Sequence, residues 1–174
     1  MKNGNISLEG YGNLDLRDVY EQISTPRHRD SQKLIAFWNA RPSDGIVMSR
    51  DVPSRQIADL LSRISVWEPV IDTTDLRVRL AGEAVNRRLP GDIRGRLMSE
   101  LFRSADFKDH MYRTRRVIES GQPLILDSRL FAGRIERLHM EVVLLPIRSP
   151  DRSHIWLMVG VFYFDSAPGP RNDS

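Results

Sequence analysis

His139 and Glu141 lie two residues apart in an apolar, β-branched run, so their side chains share one face of a strand. An imidazole beside a carboxylate can ligate a metal or move a proton. A metal centre needs further ligands, and His28 and His154 are not spaced to supply them, so no metal site is expected. Glu141 is followed by Val142, Val143 and Leu144. A carboxylate in that company has to be paired, and Arg79 is the expected partner across the sheet. His110 stands beside Asp109 at the start of a helical pattern, where a histidine can be a ligand or an exposed, capped side chain. Trp67, Met111, Tyr112, Met140, Trp156 and Met158 are soft or aromatic, and suit the wall of a flavin or metabolite site as well as a plain core.

Other catalytic chemistry finds no support. The chain has no G-x-S-x-G, phosphate loop or H-E-x-x-H motif, and no carboxylate is set apart as a general base. No catalytic residue is assigned, and the chain reads as a non-enzyme. It holds no cysteine, which excludes disulfides, thiolate nucleophiles and cysteine-linked chromophores, and fits a reducing cytoplasm.

The 174 residues suffice for one domain with an extension. Net charge is +3, and lysine occurs only at Lys2, Lys33 and Lys108, so nearly all positive charge is arginine. Arginine pairs with carboxylates in bidentate fashion, which predicts a surface laced with ion pairs. The densest basic cluster, Arg113, Arg115 and Arg116, is short for a nucleic-acid footprint, although an arginine-rich helix there keeps nucleic acid as an alternative partner. Residues 1–10 lack an apolar run of signal-peptide length, and 155–164 is too short to span a bilayer as a helix. A cytoplasmic protein without membrane contact is expected.

These residues need elements to position them. Residues 1–30 read as a flexible arm, with a faint helical pattern over 14–23, and 166–174 as a disordered tail. Ser31 is the expected N-cap of a helix ending before Pro42, with Leu34, Ile35, Phe37 and Trp38 on one face. Ile57, Leu60, Leu61 and Ile64 predict a second amphipathic helix after Ser54. Residues 65–72 and 75–81 read as strands, the first pushed towards an edge by Pro69. Short helical pieces follow over 83–89 and 97–102. A longer helix is expected over 106–120, capped by Ser104 and closed by Gly121. Strands over 124–131, 136–147 and 155–164 complete the pattern through two tight turns.

The last strand, IWLMVGVFYF, is apolar on both alternating faces, so the sheet must be covered on both sides at that point. One side can take the central helices. The other needs the helix of residues 31–41, with Leu34, Phe37 and Trp38 as cap, or a second molecule.

Two strands, several helices and three strands make an α+β domain. FWNAR (37–41), DLRVRLAG (75–82), GRLMSELF (95–102), ESGQP (119–123) and EVVLLPI (141–147), in that order, resemble the PAS sensory-domain superfamily, and within it a bacterial subgroup of small stand-alone PAS proteins. The resemblance covers 31–165. It implies a five-stranded antiparallel sheet in the order 2-1-5-4-3, helices on one face and an N-terminal helix on the other. It also implies an inner pocket whose candidate lining is Trp67, His110, Met111, His139, Glu141, Trp156 and Met158. Some members hold haem iron through a histidine on the long helix, which makes His110 the candidate for haem; the ligand, if any, is left unidentified. Pairing of two copies through Leu34, Phe37 and Trp38 is implied as well. No stretch after Asp165 reads as an output module, so a signal is expected to pass to a separate effector protein.

Overall fold

The computed structural model describes residues 16–87, 91–102 and 104–164. A six-stranded antiparallel sheet runs through the molecule: β1 (Leu16–Ile23), β2 (Ile64–Pro69), β3 (Leu76–Ala81), β4 (Leu124–Ala132), β5 (Ile135–Arg148) and β6 (Ile155–Tyr163). Their spatial order is β1-β4-β5-β6-β2-β3. The expected count of five is corrected to six among the described residues. Without β1, the remaining succession β4-β5-β6-β2-β3 has the order that the PAS resemblance implies.

The added strand lies where a faint helix was expected. Residues 16–23 pair with 125–132 of β4 over their whole length, Leu16 opposite Ala132 and Ile23 opposite Ile125. Residues 16–23 of the expected arm are therefore tied into the sheet. The backbone of β4 needed a partner on that edge, and an eight-residue ladder outweighs a weak local helical preference. Residues 1–15 and 165–174 lie outside the described residues, and so does the expected tail.

Pro69 does not place β2 at an edge. β2 lies between β6 and β3, and only Ile64–Trp67 pair with β6, so the proline sits past that ladder and its missing N–H costs no bond there.

Helix α1 (Arg29–Asn39) and a 3-10 helix (Arg55–Arg63) cover one sheet face, here called outer. Leu34, Trp38, Ile57 and Leu60 pack there on Val143, Leu145, Trp156, Met158 and Phe162. The second amphipathic helix is thus of 3-10 type, with Ser54 as N-cap, and Ile64 already opens β2. The inner face carries α2 (Glu83–Asn86), α3 (Met98–Leu101) and α4 (Ser104–Ser120). Trp67, Leu76, Val78, Ile93, Met98, Val117, Leu144 and Leu157 form its core. α4 ends at Gly121, whose φ of 63° is the left-handed turn that only glycine adopts cheaply.

Both faces of β6 are buried beneath the chain's own helices. Alternation sends Trp156, Met158 and Phe162 outward and Leu157 and Val159 inward. Gly160 keeps the outer face low: a Cβ there would stand 2.8 Å from Leu34 Cδ2 and from the Phe162 ring.

Among the described residues no helix is long and apolar enough to cross a membrane. The predicted lacing of ion pairs is present, with Arg50 on Asp44 and Asp51, Arg63 on Asp30, Lys33 on Asp59 and Arg94 on Asp92.

Candidate functional site

The residues expected to line one pocket are divided between the two faces. Trp67, His110 and Met111 belong to the inner layer, while His139, Glu141, Trp156 and Met158 belong to the outer one. The cause is the two-residue period of a strand: Trp156 and Met158 cannot face the same side as Leu157. The inner layer is built of buried, mostly apolar side chains, and Trp67 Nε1 is satisfied by Ser65 Oγ at 2.9 Å. Two clefts open on the surface. One, of about 440 Å³, is lined by Phe37, Arg41, Ile46 and Arg50, and the other, of about 550 Å³, by Gln22, Arg116, Glu119 and Leu124.

A polar cluster lies at the β1 end of the inner face. Arg113 is 8% exposed. Its Nη2 donates to His110 Nδ1 at 3.2 Å, so that nitrogen accepts and the proton sits on Nε2. Its guanidinium carbon lies 4.3 Å over the Tyr20 ring, and its Nη1 is buried without a partner among the described residues. Asp18 accepts from Ser128 Oγ at 2.7 Å. Burial raises the Asp18 carboxyl above its ordinary range, against the pull of that bond and of Arg113. His110 packs on Phe102 at 4.2 Å between ring centres. Burial first, and the Arg113 charge second, push its imidazole from 6.5 down to about 4. A histidine with a guanidinium on one nitrogen and a phenyl ring on its face does not fit an axial haem ligand.

A second cluster holds α1 to the outer face. Glu141 is fully buried, and its Oε1 accepts the backbone N–H groups of Arg27 at 2.7 Å and His28 at 3.0 Å. Its Oε2 has no partner among the described residues. A carboxylate at the start of a helix answers unpaired N–H groups and the positive end of the dipole. The structure does not bring Arg79 to Glu141. Arg79 lies 3.6 Å from Glu68, with its guanidinium carbon 5.7 Å from the centre of the Trp156 ring. The buried acid is met by backbone, not by arginine.

His28, rather than Ser31, is the N-cap of α1, and its Nδ1 accepts from the N–H of Asp30 at 3.1 Å. Its Nε2 donates to the Tyr163 carbonyl at 3.1 Å. Ser31 falls inside the helix and is buried. His139 donates from Nε2 to Asp127 at 3.1 Å and stacks on Phe164, which His28 meets edge-on. Burial works to raise Asp127, but the bonds and charges of His139 and Arg129 hold it below the usual carboxylate range. His139 and Glu141 do share a face, yet each has a different structural partner. Among the described residues no group of three or more histidine and carboxylate side chains is placed to hold a metal.

Leu34 and Trp38 are buried under α1, with Trp38 Nε1 on the Pro146 carbonyl at 3.3 Å, and Phe37 is half-buried. Burial of Arg113 leaves only Arg115 and Arg116 of the basic cluster at the surface. Sequence reasoning missed Asp18, Arg27 and the inward turn of Arg113. The one available signal was spacing: His110, Arg113, Thr114 and Val117 lie on one helical stripe, so polar groups interrupt the apolar face of α4.

No curated protein and no solved structure matches the chain significantly. Residues 26–162 match the PAS domain family, from Pro26, just before the backbone N–H groups that Glu141 holds, to Phe162 in β6. With a sheet covered on both faces and a match over most of its length, the chain belongs to the PAS domain family, whose members are sensory or regulatory modules.

Proposed function

We propose that this chain is a cytoplasmic regulatory PAS domain that acts through protein–protein contact, pairing with a second copy and passing its state to an effector protein. The observation that carries this reading is the apolar core of the inner layer. Trp67, Leu76, Ile93, Met98 and Leu157 occupy the space between α3, α4 and the sheet, which favours contact over cargo. The outer face supports the same reading in a changed form. Its apolar surface is taken up by the chain's own α1 and 3-10 helix, so Leu34 and Trp38 serve as cap, and pairing must use other surfaces.

A second reading, a receptor for a small ligand, draws on one observation, the buried and unpartnered Nη1 of Arg113 beside His110. A buried donor of that kind is costly unless satisfied, and an acidic ligand group would satisfy it. Native mass spectrometry and thermal shift separate the two. A ligand specific for the native state raises the melting temperature by mass action. Contact predicts a ligand-free mass and no shift across a panel of small acids. A retained small molecule, or a shift lost in Arg113→Met, would replace the first reading with the second.

A further inference from the structure

We propose that the free edge of β1 is the surface on which two copies pair, β1 against β1 about a two-fold axis at Val19, joining two six-stranded sheets into one. This rests on the homotypic pairing proposed above and names its interface.

Among the described residues nothing pairs with the second edge of β1, and that edge offers a row of backbone donors and acceptors. The strand is eight residues long and carries two exposed hydrophobic side chains, Val19 and Tyr20, each 46% exposed. Its charges choose the partner. A two-fold axis normal to the sheet keeps each face continuous and makes the contact isologous. With the axis at Val19, Val19 meets its own copy, and Arg17 of each chain stands opposite Glu21 of the other. All three side chains lie on the outer face, where Arg17 faces Phe131 and Glu21 faces Asp127 within the chain. Arg17 is exposed and lies 5.4 Å over the Phe131 ring. Glu21 is also exposed, and within the chain it faces a like charge. Pairing would give Glu21 an opposite charge across the strand, twice per dimer.

The edge is also coupled to the inner cluster. Asp18, Tyr20 and Gln22 alternate with the outward residues and reach Ser128, Arg113 and Arg116. A change at α4 therefore bears directly on the pairing strand.

Sedimentation of the full chain tests this with Arg17→Glu, Glu21→Arg and the double exchange. Each single reversal sets like charges opposite one another and should weaken dimerisation about tenfold or more; the double exchange should restore it. A second measurement stands if a variant folds poorly. In this cysteine-free chain, Val19→Cys should form an intermolecular disulfide on mild oxidation, and Ile71→Cys, on the exposed turn between β2 and β3, should not. Dimers indifferent to both reversals, or equal cross-linking at both positions, overturn the β1 interface and leave regulatory pairing standing. A chain that stays monomeric at every concentration overturns both.

Discussion

Leu34 Cδ2 lies 2.8 Å from the point where a Cβ on Gly160 would stand. That closeness fixes how low α1 sits on β6. Gly160→Ala puts a methyl group against Leu34 and the Phe162 ring, and over-packing of this kind costs about 1–3 kcal/mol. Leu34→Ala empties the same contact and should cost about 2–5 kcal/mol. Urea melts of the two variants and the double variant measure this. The two changes should compensate in part, because the smaller side chain makes room for the added methyl.

Glu141→Ala orphans the N–H groups of Arg27 and His28 where α1 begins, and should lose about 2–4 kcal/mol. Glu141→Gln keeps an acceptor oxygen and should lose less than half of that. A melting temperature unchanged in Glu141→Ala would remove the latch from the account.

Arg79→Ala, by contrast, should cost under about 1 kcal/mol, because its contact with Glu68 is exposed to solvent. A double-mutant cycle between Arg79 and Glu141 should show coupling close to zero. Coupling of about 2 kcal/mol would revive the ion pair expected from the sequence.

His110 sets a pH dependence. Its folded value of about 4 lies below its ordinary 6.5, so the unfolded chain binds the proton more readily. Stability from this group is full above about pH 6.5 and falls as pH drops towards about 4. Asp18, raised by burial, acts with the opposite sign: the folded chain holds its proton more readily, so its contribution falls as pH rises above 3.8. His110→Gln should flatten the loss of melting temperature between pH 6.5 and 4; an unchanged slope would contradict the burial of the ring.

Strands β2 to β6 and α4 were legible because their signals are strong and local. IWLMVGVFYF is apolar on both faces, Gly121 follows a helical stripe, and short turns join β4, β5 and β6. The coverage of both faces was legible too, since no single-sided strand has that composition. β1 was not. Its residues, LRDVYEQI, alternate poorly, and their partner β4 lies about a hundred residues away, beyond what local pattern can report. Glu141 was recognised as buried and in need of a partner, but arginine was assumed where backbone N–H groups of Arg27 and His28 serve. Side-chain types announce a demand for hydrogen bonds without saying which backbone will answer it.

The central claim, regulation by protein contact, is tested most directly by sedimentation velocity of the full chain from about 1 to about 100 μM. The account predicts a reversible monomer–dimer equilibrium within that range. A single monomeric species throughout would contradict it.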